Sequence, residues 1–128
     1  MAKVVKKRVI YTIGSADRSQ DDFLRTLGDY GIKILVDVRR FPTSKYEHFK
    51  RENLEAILLS SEIAYVYMGK ELGGFRKGGY EAYVRTEDYK GGLKSLERLA
   101  IKAPTVIMCC EKSPAGCHRR YISQSLRK

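Results

Sequence analysis

Four short runs of apolar, largely β-branched residues punctuate the chain: Val9-Ile10-Tyr11-Thr12-Ile13, Ile34-Leu35-Val36-Asp37-Val38, Ile63-Ala64-Tyr65-Val66-Tyr67 and Thr105-Val106-Ile107-Met108-Cys109-Cys110. Runs that stay apolar at successive positions suit strands covered on both faces, the condition of a parallel sheet. The segments between them have a helical period. Phe23, Leu24, Leu27 and Tyr30 follow Ser19, which reads as an N-cap with Asp22 three residues on, and Gly31 stops the pattern. Leu54, Ile57 and Leu58 mark a second helix, and Leu93, Leu96, Leu99 and Ala100 a third that ends near Pro104. A last helix is expected from about Cys117, with Ile122 and Leu126 facing inward. Strands alternating with helices predict an open, mostly parallel, Rossmann-like α/β sheet of at least four strands, with helices on both faces and right-handed crossovers.

The 128 residues suit one domain spanning 1–128, because no repeat and no Pro-, Gly- or Ser-rich linker divides them. Apolar residues make up 43% and charged residues 31%, too hydrophobic for a disordered tail and too interrupted for a membrane span. The basic start leads into a β-type run rather than a signal-type apolar core, so a cytoplasmic location and no membrane partner are expected. Net charge is +10, and residues 65–128 carry +7 of it, which favours anionic partners such as a nucleotide or nucleic acid. Composition does not set the oligomeric state.

In open α/β sheets ligands bind outside the carboxyl ends of the strands. The chain places its unusual polar residues there. Gly14 to Ser19, with Arg18, follows the first strand; Asp37 and Arg39 end the second; Glu111, Cys117, His118 and Arg119 follow the fourth. Asp37 is the sharpest of these, because a carboxylate at the end of an apolar strand must be hydrated, paired or ligand-bound. Arg39, two positions on, is its expected partner, and a salt bridge that merely fixes the loop weighs about as much as a catalytic role.

The segments YTIGSADRS, LVDVRRFPTSKYEHF, LGGFR and MCCEKSPAGCHRRYI occur in this order from about Tyr11 to Leu126. Together they resemble the family called domain of unknown function 488. The resemblance maps its motifs onto Gly14, Arg18 and Ser19; onto Asp37, Arg39, Pro42 and Ser44; onto Gly73, Gly74 and Arg76; and onto Cys109, Glu111, Cys117, His118 and Arg119. It implies a fold and a polar constellation, with no established reaction. One departure stands out: Ser15 occupies the place of the usual His, and Ala16 that of the usual Ser, so a mechanism built on that His does not carry over.

Cys117 beside His118 and Arg119 at a helix start would have a lowered thiol pKa, a proton-transfer partner and an anion-holding cation. Thiol-dependent sulfur or phosphoryl transfer through Cys117 is therefore one reading. Arg119 lies two residues beyond Cys117, however, rather than at the spacing of a cysteine-phosphatase loop, and a packed or anion-binding role weighs more. Cys109, Cys110, Cys117 and His118 could in principle ligate zinc, but two adjacent pairs lack the usual ligand separation, and no metal is expected. The thiols are expected reduced, although few amides and dense charge resemble a thermophile composition and leave a Cys109–Cys117 or Cys110–Cys117 bridge open.

His48, in a charged loop, reads as a surface residue. The stretch from Leu72 to Tyr80 reads as a long basic loop that lacks the P-loop ending, and the loop after the first strand lacks the GxGxxG fingerprint. Nicotinamide and flavin are thus disfavoured, and no cofactor is assigned. The resulting expectation is an anion-binding site for a nucleotide or nucleic-acid phosphate, with or without catalysis. Asp37, Glu111, Cys117 and His118 are the candidate catalytic groups, and Arg18, Ser19, Arg39, Arg76 and Arg119 hold the ligand. A non-catalytic nucleic-acid binding module, driven by the charge and the nine tyrosines, is the competing reading.

Overall fold

The computed structural model describes residues 2–5, 8–15, 18–42, 44–74, 79–109, 122, 125 and 126. Five strands, β1 (Ala2–Val5), β2 (Arg8–Gly14), β3 (Ile34–Asp37), β4 (Ala64–Tyr67) and β5 (Thr105–Cys109), form one sheet in the order β1-β2-β5-β3-β4. The last four are mutually parallel, and β1 runs antiparallel to β2 along one edge. The helices are α1 (Gln20–Asp29), α2 (Arg51–Ser60), the single turns α3 (Gly69–Leu72) and α4 (Tyr80–Tyr83), and α5 (Glu87–Lys102); a 3₁₀ turn spans Glu47–Phe49.

Every residue of the central strands β3 and β5 is buried, which is why their sequences are apolar at successive positions rather than alternating. The alternate residues feed two separate cores. Ile13, Leu35, Val106 and Met108 meet α1 and α2 through Phe23, Leu27, Leu54 and Leu58 on one face. Ile10, Val36 and Ile107 meet Leu72, Tyr89, Leu96, Ile122 and Leu126 on the other. The expected α/β sheet with helices on both faces is therefore present, as is the inward placement of Ile122 and Leu126. Among the described residues, no helix is long and apolar enough to cross a membrane.

Three features depart from the sequence pattern. β1 occupies the basic start, where charge masks the strand signal. Helix α5 begins at Glu87, capped by the Thr86 side chain on the Tyr89 amide, well before its apolar repeat. The intervening Gly91-Gly92 pair lowers helix propensity, but Gly92 is buried where α5 crosses α3, and a Cβ there would stand 2.9 Å from Glu71 Cβ. Of the stretch from Leu72 to Tyr80 read as one loop, the two end residues belong to helices, Leu72 closing α3 and Tyr80 opening α4, and residues 75–78 lie outside the described residues.

A one-turn helix leaves most of its carbonyls without intrahelical partners; in α3 the Gly73 amide takes that of Gly69 at 2.9 Å. Tyrosines take two others: the Tyr80 hydroxyl donates to the Leu72 carbonyl at 2.6 Å, and the Tyr83 hydroxyl to that of Glu71 at 2.7 Å. Helix α3 is thereby fixed against the backbone that leaves β3, where Gly73 forms the contact. A Cβ on Gly73 would collide with the Gly69 carbonyl oxygen and come within 2.8 Å of Arg40 Cα. Backbone on both sides leaves nothing flexible to yield.

Gly73→Ala should accordingly cost about 1–3 kcal/mol, the range for overpacking a closed site. Gly28→Ala, in α1 where a Cβ meets nothing within 4 Å, should gain about 0.4–1 kcal/mol through the unfolded chain. Urea unfolding monitored by circular dichroism measures both, and the opposite signs separate close packing from glycine flexibility.

Candidate functional site at the carboxyl edge of the sheet

The register of the parallel strands sets Gly14 beside Cys109, and Asp37 between Met108 and Tyr67. The ladders run slightly past the strand ends: the Ser15 amide donates to the Cys109 carbonyl at 2.8 Å, that of Val38 to Met108 at 3.0 Å, and that of Met68 to Asp37 at 2.9 Å. Ser15, at the position of the family His, is buried.

Asp37 is 0% and Arg39 4% exposed, and they form a two-pronged ion pair. Asp37 Oδ1 accepts from the Arg39 backbone amide at 3.1 Å and from Nε at 2.9 Å; Oδ2 accepts from Arg39 Nη2 at 2.8 Å and from the Tyr65 hydroxyl at 2.6 Å. Four donors occupy the roughly four acceptor positions of a carboxylate. Arg39 spends its remaining prong on the Phe49 carbonyl, Nη1 to O at 2.6 Å. Burial works against the Arg39 charge, yet the hydrogen bonds and charge of Asp37 outweigh it and hold its pKa above the ordinary value. Tyr65 is pushed well above its usual range by burial, and further by the Asp37 carboxylate that it faces. Tyr67 shifts the same way for the same reasons, in the same order.

Sequence reasoning missed the residues of β4 and its surroundings. Tyr65 and Tyr67 read only as strand residues, but their two-residue spacing puts both on one face. The Tyr67 hydroxyl donates to the Arg40 carbonyl at 2.7 Å, and the Arg51 guanidinium carbon lies 4.5 Å from the Tyr67 ring centroid and 5.8 Å from that of Tyr65. His48 is not the plain surface residue expected: half-buried, it donates from Nε2 to the Arg18 carbonyl at 2.9 Å and its ring centroid lies 4.3 Å from that of Phe49. That bond ties the loop after β2 to the loop after β3.

Arg18 donates from Nε to the Gly14 carbonyl at 2.9 Å and pairs through Nη1 with Asp22 at 3.0 Å. Asp22, held below its ordinary pKa first by the hydrogen bond from Arg18, also pairs with Arg25. Ser19 is the N-cap of α1, accepting from the Asp22 amide at 3.1 Å. Arg18, Ser19, Asp37 and Arg39 thus all belong to this edge. Arg76, Glu111, Cys117, His118 and Arg119 lie outside the described residues. Cys109 is disulfide-bonded, with its partner outside the described residues, which corrects the expectation of reduced thiols. A sulfur held in a disulfide is no thiolate ligand, so Cys109 leaves the candidate zinc set.

Fold and edge together define a small open α/β-sheet protein with a buried, ion-paired carboxylate at the carboxyl end of the inner strand β3. The family model described as domain of unknown function DUF488 matches residues 19–126, and the chain belongs to that family. No curated protein and no solved structure matches it.

Asp37→Asn should destabilise the fold by about 3–5 kcal/mol, because it strands a buried guanidinium. Tyr65→Phe should cost about 1–3 kcal/mol by removing one donor. Denaturant unfolding checks both, and an Asp37→Asn protein as stable as the parent would show that the pair carries no structural load. Burial raises the phenol pKa of Tyr65, Tyr67 and Tyr89, so all three keep their protons in the native state to higher pH than an exposed tyrosine does. Above about pH 10 the unfolded chain therefore binds fewer protons than the native one, and stability falls as pH rises. The share of tyrosinate absorbance that belongs to these three should then appear in step with loss of circular dichroism, and Tyr65→Phe should remove part of that coupled step.

Proposed function

We propose that the carboxyl edge of the sheet is a binding site for an anionic ligand, a nucleotide or nucleic-acid phosphate. The observation that supports this reading is an imbalance of charge in the connection from β3 to α2. Asp37 is consumed by Arg39, and Glu47 by Lys50 at 2.8 Å. Arg40, Lys45 and Arg51 form no ion pair among the described residues. Their backbone is anchored by the Tyr67 hydroxyl at Arg40 and by the Arg51 amide on the Pro42 carbonyl at 3.1 Å. Cations with no carboxylate to neutralise them attract phosphate, and Arg51 stacked on the Tyr67 ring and Lys45 over the Tyr46 ring keep their charge for it.

The same geometry favours binding over general acid–base chemistry at Asp37. A base needs a free lone pair aimed at substrate, and each Asp37 oxygen already accepts two hydrogen bonds. In this reading Asp37 is a positioning residue that, together with the buried Arg39, fixes the loop behind it. Arg18, Ser19, Arg76 and Arg119 are the further candidate ligand contacts, and Glu111, Cys117 and His118 are where any chemistry would reside.

Anisotropy of a labelled single-stranded oligonucleotide tests the proposal. Binding at low ionic strength should weaken steeply with salt, and replacing Arg40, Lys45 and Arg51 together by Gln should flatten the log–log slope by about two, at roughly 0.7 per lost phosphate contact on a single strand. No binding at low salt, or a slope indifferent to the triple substitution, would refute it.

A further inference from the structure

Strand β4 forms an outer edge of the sheet and reads Ala64-Tyr65-Val66-Tyr67, with no charge, no proline and no bulge in its register against β3. Charges, prolines and bulges are the devices that keep an edge strand from pairing with another chain. In this register the Ala64 amide donates to the Lys33 carbonyl and the Met68 amide to that of Asp37. Successive residues of a strand turn their backbone groups to opposite sides. Tyr65 and Tyr67 therefore aim theirs outward, and among the described residues these amides and carbonyls have no partner. Helix α2 flanks the same edge: the Arg51 guanidinium lies over the Tyr67 and Tyr65 rings, and Glu55 and Leu59 follow on that flank at four-residue steps. Leu59, 75% exposed, is the most exposed large hydrophobic side chain among the described residues.

We infer that the outer edge of β4 is an interface between two copies of this chain, paired antiparallel about a two-fold axis at Val66. The strand is self-complementary in that register. Tyr65 meets Tyr67 of the second copy and Tyr67 meets its Tyr65, each pair exchanging both backbone hydrogen bonds, so every outward group of the two strands is used. Tyr65 and Tyr67 share the face that carries α2, and across the axis they form aromatic cross-strand pairs. A four-residue ladder alone is smaller than a stable interface, which buries about 1,200 Å² or more in total. The two α2 flanks, running antiparallel beside the axis, extend it with Leu59. Charge permits the approach: although the chain carries +10, α2 and the turn into β4 set Arg51 against Glu52, Glu55 and Glu62, so this side lacks the positive excess that would drive copies apart.

Sedimentation velocity and residue-resolved hydrogen exchange on the whole chain test this. The parent should sediment as a dimer that dissociates on dilution, and the Tyr65 and Tyr67 amides, which a monomer leaves open to solvent, should be protected as long as the dimer lasts. Ala64→Lys combined with Leu59→Gln changes two exposed side chains. With its fold confirmed by circular dichroism, this variant should be monomeric at concentrations where the parent is dimeric, and should lose protection at those two amides. A monomeric parent overturns the inference, and is the outcome if the edge takes an extended peptide of another protein instead. A dimer whose Tyr65 and Tyr67 amides exchange freely places the contact elsewhere and overturns it as well, and so does a folded double variant that stays dimeric. Should the double variant fail to fold, exchange at the two amides of the parent decides alone.

Discussion

The Asp37–Arg39 pair is the constraint around which the carboxyl edge is organised. A carboxylate wholly removed from water at the carboxyl end of the inner strand β3 is tolerable only with a full set of donors. Arg39 supplies three of the four, since it follows at two residues' distance and contributes its own amide as well as two nitrogens of its side chain. Satisfying the acid then has consequences outward. The guanidinium, turned back onto Asp37, projects its other nitrogen to the Phe49 carbonyl and so brings in the 3₁₀ turn. Phe49 meets Phe23 edge-on with ring centroids 5.0 Å apart, which joins that turn to the α1 face of the core. Tyr65 closes the set from β4. One buried charge thereby links strand, loop and one helical layer.

A second theme is the use of tyrosine as backbone glue. Hydroxyls of Tyr67, Tyr80 and Tyr83 each take a carbonyl that regular structure leaves over, at Arg40, Leu72 and Glu71. Tyr89 reaches Ser125 at 3.0 Å and packs edge-on to Tyr80 and Tyr83. A buried aromatic with a polar tip contributes apolar area and satisfies an orphan acceptor at once. The high tyrosine content of the chain is therefore in large part an architectural feature. It also changes how an aromatic-rich basic sequence should be read: among the described residues, the rings with hydroxyls mostly serve the interior.

The two cores give the family motifs distinct physical meanings. Ser19 begins α1 by capping it, Asp37 and Arg39 form the buried pair, and Gly73 allows α3 to approach the backbone at Arg40. Each of these shapes the edge through contacts within the chain. The residues on which the binding proposal rests, Arg40, Lys45 and Arg51, lie within or beside the second motif, on the connection from β3 into α2 that those buried groups support. Rigid support beneath a variable surface is the usual division between scaffold and site.

The sequence by itself determined the class of fold, because short, β-branched apolar runs bounded by turn residues alternate with segments of helical period, the pattern of a parallel sheet covered on both faces. It also determined the Ser19 cap and the Asp37–Arg39 pairing, since both depend on residues two or three positions apart. Tertiary structure alone decided what depends on distant segments meeting: that Tyr65 would cross to Asp37, that His48 would bind the Arg18 carbonyl, and that Gly92 would lie under α3 instead of breaking a helix. It also decided which charges would be spent. Arg39, Arg40 and Arg51 look alike in the chain, yet packing buries the first against a carboxylate and leaves the other two without ion-pair partners among the described residues. Local chemistry fixes what a residue can do; the three-dimensional neighbours decide whether that capacity has already been used.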